Sequence, residues 1–308
     1  MNASTDSLGS AASLRLDGRV AIVTGAGAGL GRAHARLLAS RGAQVVVNDL
    51  HLAPAEAVVA EIRAAGGQAI AAAGSVTDEA AVQAMVAQTL ATWGRIDILV
   101  NNAGILRDKS FAKMTLDDFR LVVDVHLMGA VVCTKAVWDT MRAQQFGRIV
   151  FTTSSSGLFG NFGQSNYGAA KMALVGLMQT LALEGEKANV RVNCLAPTAA
   201  TAMTEGILPA EVLAVLTPES VSPGLLFLVS EDAPTRAILN AGAGVFAASH
   251  VSLTAPVHIG TGTDAPEQLA AAWPRISDRA DSTVPGSGLE QSMREIATVQ
   301  GRRGHFLV

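Results

Sequence analysis

Cysteine and charged residues are scarce in this chain of 308 residues. The two cysteines, Cys133 and Cys194, lie in apolar surroundings, which indicates buried free thiols in a reducing compartment rather than a disulfide framework. Only 16% of the residues are charged and the net charge is −3, so there is no broad basic field to attract nucleic acid or an anionic membrane. The apolar fraction of 49% is sufficient for a large core.

Signals for secretion and membrane insertion are also missing. Residues 1–16 are rich in serine and alanine, lack the basic start and apolar run of a signal peptide, and are predicted to form a mobile arm. Residues 237–263 contain no Asp, Glu, Lys or Arg, but they include polar side chains and several glycines, so no membrane span is predicted there. The C-terminal residues carry no peroxisomal address signal. We therefore expect a cytoplasmic protein.

A glycine-rich turn lies between the first predicted strand, residues 19–24, and the first predicted helix. In the run GAGAGLG, Gly25, Gly29 and Gly31 have the spacing G-x-x-x-G-x-G, with Leu30 inside the pattern. Glycine is needed where the backbone turns tightly and approaches a pyrophosphate, which then lies at the helix N-terminus. In this strand–turn–helix context the pattern predicts a dinucleotide-binding turn.

The second predicted strand ends at Asp49, eighteen residues after Gly31. A carboxylate there can accept hydrogen bonds from both hydroxyls of an adenosine ribose, and it would repel a 2′-phosphate. No arginine or lysine occurs at residues 26–28 to receive such a phosphate. These features predict NAD rather than NADP as the cofactor. The alternative is that Asp49 is a solvated carboxylate at a strand end.

The stretch of residues 154–171, SSSGLFGNFGQSNYGAAK, contains the candidate catalytic residues. Tyr167 and Lys171 are four residues apart and share one face of a predicted helix that begins at about Ser165. An ammonium group beside a tyrosine favours the phenolate, and a pKa lowered by about three units corresponds to roughly 4 kcal/mol. Ser154 lies thirteen residues before Tyr167, at the end of a predicted strand. The alternative for an isolated Y-x-x-x-K pair is two exposed helix residues.

Predicted strands and helices alternate along the chain, with helices at residues 54–65, 78–92 and 116–144. The alternation predicts an α/β protein with one doubly wound parallel sheet and helices on both faces, a single Rossmann-type domain. We assign residues 1–16 to the arm, 17–263 to the NAD-binding and catalytic domain, and 264–308 to an extension that packs on it. Residues 199–224 are predicted to form a mobile substrate lid. No metal-binding residues are assigned.

Together the glycine turn, the NNAG run at residues 101–104 and the Ser154–Tyr167–Lys171 set resemble the short-chain dehydrogenase/reductase family over about residues 15–260. The resemblance implies that Tyr167 exchanges the proton of a substrate hydroxyl, Ser154 holds its oxygen and Lys171 tunes the tyrosine. It also implies cofactor contacts, beyond the glycine turn and Asp49, from Asn102, Ala103, Gly104, Tyr167, Lys171, Pro197 and Thr201. Many relatives have an aspartate soon after the third strand that contacts adenine; Ser75 and Val76 occupy that region here, so we expect any adenine contact to come mainly from backbone.

His126 departs from the family pattern, which has asparagine at this position. In the family that asparagine anchors a water that passes protons from the lysine to solvent. A histidine can hold such a water through its ring nitrogens, and an unperturbed histidine titrates near neutrality. We therefore expect His126 to be a fourth catalytic residue. The alternative is a histidine that only packs within its helix.

Within the family, the segments TGAGAGLGRA, NNAGILRDKSFAKM and VHLMGA are similar to the (3R)-hydroxyacyl-CoA dehydrogenase unit of peroxisomal multifunctional enzymes of type 2, also called 17β-hydroxysteroid dehydrogenase type 4. This implies NAD-dependent conversion of (3R)-3-hydroxyacyl-CoA, including steroid side-chain CoA, to 3-ketoacyl-CoA. Two alternatives remain open: oxidation of free 17β-hydroxysteroids, and an inactive dinucleotide-binding sensor.

Two further surfaces suggest partners. Arg107, Lys109 and Lys113 form a basic loop, which is either simply solvated or a site for coenzyme A phosphates. The helix that carries Tyr167 continues as MALVGLMQTLALE, which is apolar on nearly all faces. Such a helix must be buried, so we expect it to pack against the sheet and a partner subunit in a homodimer or homotetramer.

Overall fold

An eight-stranded sheet lies at the centre of the computed structural model, which describes residues 13–200 and 210–301. The strand order is β3-β2-β1-β4-β5-β6-β7-β8, and the pairings from β3 to β7 are parallel. The strands are β1 (Val20–Val23), β2 (Gln44–Asp49), β3 (Gln68–Ala73), β4 (Ile98–Asn101), β5 (Gly147–Thr152), β6 (Val190–Thr198), β7 (Ile238–Gly242) and β8 (Val245–Ser249). The predicted doubly wound α/β fold is confirmed, with its crossover point between β1 and β4, where such sheets bind ligands.

The α-helices of the described residues follow the predicted alternation with the strands. They are α1 (Gly29–Ser40), α2 (Leu52–Ala64), α3 (Glu79–Trp93), α4 (Leu116–Val123), α5 (Gly129–Gln144), α6 (Ser155–Phe159), α7 (Ser165–Gly185), α8 (Ala210–Val215), α9 (Pro218–Leu228), α10 (Ala265–Ile276) and α11 (Gly288–Val299). The long helix predicted at residues 116–144 is interrupted by a π-helical turn, Asp124–Met128, which joins α4 to α5.

The central strands β1, β4 and β5 are buried on both faces, which explains their nearly continuous apolar runs. Side chains alternate between two cores: Val45 and Val47 pack with α1, α2 and α9, whereas Val46 packs with α3, α5 and α7. The last strand was not predicted. Ala243 and Gly244 have φ values of 51° and 74°, the conformation of a two-residue hairpin turn, and β8 follows directly.

The chain divides into two compact units, one ending at Ala248 and the other beginning at Ser249. The second unit contains α10, α11 and an antiparallel bridge between Leu253 and Thr283. The predicted packing of residues 264–308 on the first domain stays a prediction.

By length and composition Leu116–Gln144 is apolar enough to cross a membrane, a test that buried core helices of soluble proteins also pass. Residues 201–209 of the predicted lid lie outside the described residues.

Candidate active site

Three predicted catalytic side chains converge beside the end of β5. Ser154 is the N-cap of α6, and its Oγ accepts a hydrogen bond from the Ser156 N–H at 3.2 Å. Tyr167, the chain's only tyrosine, is near the start of α7, and the Ser154 side chain acts to lower the pKa of its phenol. Lys171 follows one turn later, with its Nζ 5.5 Å from the centroid of the Tyr167 ring. The two hydroxyls can therefore bind one substrate oxygen together.

Lys171 is buried, with 3% of its surface exposed. Its Nζ donates to the Thr152 carbonyl at 2.5 Å, and its own carbonyl accepts from Thr153 Oγ1 at 2.7 Å. Burial lowers the pKa of Lys171 to about 7, because a charged ammonium loses its hydration there. The lysine is therefore held firmly at the end of β5 and is only partly charged at neutral pH.

The protein's own groups raise the pKa of Tyr167 rather than lowering it. The largest cause is burial of the phenol, whose effect the Ser154 side chain opposes and the carboxylate of Asp108 reinforces. This differs from the expectation that Lys171 lowers this pKa. The physical reason is that the Lys171 ammonium donates to a backbone carbonyl and is itself partly neutral.

His126 is buried in the π-helical turn between α4 and α5. Its Nε2 lies 2.8 Å from the carbonyl oxygen of Ile105 and 3.1 Å from the Ile105 nitrogen, so the ring binds the loop after β4. Gly104 is required beside it, because a Cβ at this position would overlap the imidazole. The ring also meets Tyr167 edge-on, with centroids 5.1 Å apart. His126 thus contacts both the loop and the predicted catalytic tyrosine.

The second ring nitrogen of His126, Nδ1, has no hydrogen-bond partner among the described residues, and neither does Oδ1 of Asn101. Both residues line, with Lys171, a small cavity of about 10 Å³, the space of roughly one water molecule. Burial, aided by the charge of Lys171, lowers the pKa of His126 to about 3. The imidazole is therefore neutral at physiological pH, which corrects the expectation that it titrates near neutrality.

Asp49 lies where the sequence pattern predicted it, at the end of β2 against the glycine turn. Its Oδ2 accepts a hydrogen bond from the Gly27 N–H at 2.9 Å. A Cβ at residue 27 would lie 2.7 Å from that oxygen, so only glycine allows this contact. Gly25 has φ +61°, and a Cβ there would lie 2.8 Å from Ala103 Cα. The glycines therefore leave a concave backbone surface at this turn, which the side chains of larger residues would fill.

The N-terminus of α1 fits a bound pyrophosphate. Its N-cap, Ala28, provides no side-chain hydrogen bond, and the first turn contains no acidic residue, so these backbone N–H groups are available to an anion. Gly31 packs tightly on the Gly25 carbonyl, and Leu30 packs against the core beneath the turn. Together with the Asp49 carboxylate, which is predicted to bind the adenosine ribose, these residues fit a nicotinamide dinucleotide.

The NNAG run ties β4 to the glycine turn. Asn102 Nδ2 donates to the carbonyls of Thr24 and Gly25 at 3.0 and 3.1 Å. Thr24 Oγ1 in turn accepts from the N–H groups of Asn102 and Ala103 at 3.0 and 3.1 Å. Sequence reasoning missed Thr24, because nothing in its local pattern shows that it meets residues 78 positions away.

The remaining predicted cofactor residues are more scattered. Ser75 Oγ is hydrogen-bonded to Thr77 Oγ1 at 2.8 Å, and Val76 is buried. Pro197 lies near the end of β6, and Thr201 lies outside the described residues. The structure thus brings together the residues of the glycine turn, β2 and β4, whereas any contact of these four with a nucleotide stays a prediction.

The basic loop is partly neutralised by Asp118. The Lys109 Nζ lies 3.1 Å and the Arg107 Nε 3.9 Å from the Asp118 carboxylate. Lys113 has no ion pair within the part of the chain that the structure describes. Two of the three cations that were candidates for coenzyme A phosphates are therefore already engaged by the protein.

Comparison with known sequences defines the class of protein. The profile of the family described as short chain dehydrogenase matches residues 19–211, more than half of the chain. The chain therefore belongs to the short-chain dehydrogenase family, and it is an oxidoreductase of the kind that uses a nicotinamide dinucleotide. The described residues contain no group of three or more His, Cys, Asp or Glu side chains that could hold a metal ion.

Its similar relatives include multifunctional and single-function proteins. Peroxisomal multifunctional enzyme type 2 of Drosophila melanogaster is 44% identical over 299 residues, covering 91% of this chain and 48% of the relative. A short-chain type dehydrogenase/reductase of Mycobacterium tuberculosis is 46% identical over 87% of this chain and 97% of its own length. The 3-oxoacyl-[acyl-carrier-protein] reductase of Synechocystis is 43% identical over 71% of this chain and 92% of its own. The chain spans about half the length of the Drosophila relative.

Solved structures show the same architecture. The full-length Drosophila multifunctional enzyme type 2 superimposes with a TM-score of 0.79 at 39% identity, covering 94% of this chain and 50% of that one. A 7α-hydroxysteroid dehydrogenase, solved with NADH and 7-oxoglycochenodeoxycholic acid, superimposes with a TM-score of 0.69 at 32% identity over 75% of this chain and 95% of that one.

Proposed function

We propose that this protein oxidises (3R)-3-hydroxyacyl-CoA thioesters to 3-ketoacyl-CoA with NAD. The observation that carries the proposal is the convergence of Ser154 and Tyr167 beside the buried Lys171, next to a turn that fits a dinucleotide. The thioester class is supported by the similarity to multifunctional enzymes of type 2 and by the Synechocystis relative, whose name specifies a 3-oxoacyl thioester.

The side chains divide the work of the reaction. A bound nicotinamide dinucleotide would supply the acceptor for the hydride that leaves the carbinol carbon. Ser154 Oγ donates to the substrate oxygen and holds it, while the Tyr167 phenolate takes the hydroxyl proton. Because burial raises the pKa of the Tyr167 phenol, the phenolate has to be stabilised by a protonated Lys171, whose ammonium would also donate to the ribose of a bound dinucleotide. His126 and Lys171 border the water-sized cavity through which the proton leaves toward solvent.

Asp49 supports NAD over NADP. Its carboxylate is held by the Gly27 N–H, so a 2′-phosphate would meet a fixed negative charge. We expect kcat/KM to favour NAD by at least about tenfold, which corresponds to roughly 1.4 kcal/mol. Comparable efficiency with the two cofactors would contradict this assignment.

One experiment decides among the candidate functions. NAD reduction is followed with (3R)- and (3S)-3-hydroxyacyl-CoA thioesters and with 17β-hydroxysteroids, side by side. Turnover of the R thioesters supports the proposal. Turnover of free steroids alone would favour the second candidate, a 17β-hydroxysteroid dehydrogenase. The similarity to a 7α-hydroxysteroid dehydrogenase supports this candidate. Cofactor binding without turnover of any of these substrates would indicate a sensor.

We also propose that the protein assembles as a homodimer or homotetramer. The helices around the site expose large apolar side chains to solvent in the single chain, among them Leu121 on α4 and Met172 and Leu183 on α7. Light scattering with size-exclusion chromatography tests this; a monomer at micromolar concentration would refute it. The cytoplasmic location stays a prediction, which cell fractionation can test.

A further inference from the structure

The loop after β4 is clasped to the turn before α7 at three consecutive residues. The three hydrogen bonds are Asn166 Nδ2 to the Arg107 carbonyl at 3.1 Å, Gln164 Nε2 to Asp108 Oδ2 at 2.6 Å, and the Lys109 N–H to the Gly163 carbonyl at 2.9 Å. Since Gln164 is three residues before Tyr167, this clasp holds the Asp108 carboxylate close enough to the phenol to raise its pKa. The mechanism proposed above does not use Asp108.

The charge of Asp108 is not neutralised by its neighbours. Arg107 and Lys109 flank it in sequence, but both cations are directed to Asp118. Within residues 13–200 and 210–301 Asp108 itself forms no ion pair, and the polar side chain bound to its carboxylate is the neutral amide of Gln164. A fixed negative charge therefore stands on the Tyr167 side of the site.

We propose that Asp108 is a specificity-determining residue that selects substrates with no charge beside the carbinol carbon, such as thioesters, over free 3-hydroxy acids. The proposal rests on Tyr167 being the base of the proposed reaction. In a 3-hydroxy acid the carboxylate is two carbons from the carbinol, so binding at Tyr167 brings two negative charges within several ångströms. In a thioester the same position is neutral.

The magnitude follows from the repulsion between two like charges. At a separation of about 6 Å in partly solvated surroundings, with an effective dielectric of about 40 to 80, it lowers kcat/KM for the acid by roughly three- to tenfold. The probes are (R)-3-hydroxybutanoate and its ethyl ester, which differ in charge and not in the reacting centre. We expect the wild-type enzyme to prefer the ester. Asp108→Asn should raise the relative efficiency with the acid by roughly three- to tenfold.

Two further variants separate charge from structure. Asn at residue 108 can still accept the Gln164 hydrogen bond, whereas Asp108→Ala loses both charge and bond. Asp139→Asn is the matched control, because Asp139 is exposed on α5, thirteen residues or roughly 20 Å along the helix from His126. The Asn and Ala variants should change the acid-to-ester ratio alike, and the control should leave it unchanged.

Several outcomes would overturn the proposal: an unchanged ratio in Asp108→Asn, a change confined to Asp108→Ala, or an equal change in Asp139→Asn. Calorimetric binding of 3-oxobutanoate and its ethyl ester to the NAD-loaded enzyme gives the same ratio without turnover, because neither the ketone nor NAD has a hydride to transfer. The proposed function fails separately, if the wild-type enzyme oxidises no CoA thioester, because the small probes carry no CoA.

Discussion

Replacing His126 by leucine or by asparagine separates the two roles that the structure suggests for it. The two replacements are similar in size, but only asparagine can form hydrogen bonds. Leucine would leave backbone groups of Ile105 unpaired, at a cost of about 1–3 kcal/mol in the free energy of unfolding. It would also remove the polar edge of the water-sized cavity beside Lys171. We therefore expect a folded but less stable leucine variant.

The expected effect on turnover is larger than a packing role would produce. Loss of assisted proton transfer should lower kcat by about ten- to a thousandfold, which adds roughly 1.4 to 4 kcal/mol to the barrier. Asparagine should keep much of the activity, because its amide can hold the same water. Since the pKa of His126 is about 3, the ratio of wild-type to leucine-variant kcat should not change between about pH 6 and 9.

The assay is kcat measured against pH for the three proteins, with circular dichroism and urea unfolding to establish folding and stability. A folded leucine variant with wild-type kcat at every pH would refute the relay and leave His126 a packing residue. A ratio that follows a titration near pH 6.5 would instead refute the neutral imidazole described above, because that is the ordinary pKa of histidine.

Three other predictions follow from the buried groups. The pKa of Lys171 is about 7 in the folded state and 10.5 in the unfolded state, so the folded state binds fewer protons between pH 7 and 10.5. Stability should therefore rise with pH across this range, by up to about 5 kcal/mol. Urea unfolding of Lys171→Met should lack this rise. His34 is fully buried, and its pKa is about 3 in the folded state against an ordinary value of 6.5, so its contribution to folding stability is lost as the pH falls from 6.5 to 3. His34→Gln can still form the hydrogen bond with Ser222 and should therefore unfold at a lower pH in an acid titration. Ser154→Ala should lower kcat by about 10²- to 10³-fold in steady-state assays without changing the fold by circular dichroism.

Some features were predictable because their causes are local. The glycine spacing of the first turn, the carboxylate that ends β2 and the Tyr167–Lys171 pair each depend on a few neighbouring residues and on the geometry of one strand or helix. The alternation of strands and helices similarly predicts a parallel sheet, because parallel neighbours require crossover connections. The fold and the spatial grouping of Ser154, Tyr167 and Lys171 were therefore accessible from the amino-acid sequence alone.

Other features depend on residues that only the folded chain brings together. The partly neutral state of Lys171 and the low pKa of His126 follow from burial, which no local pattern specifies. Asp108 lies 56 positions before its partner Gln164, and its flanking cations are engaged by Asp118. Sequence by itself determined which chemical groups are present and in what order. Tertiary structure decided their hydration, their charge and their neighbours, because electrostatic free energies depend on distance and burial in space.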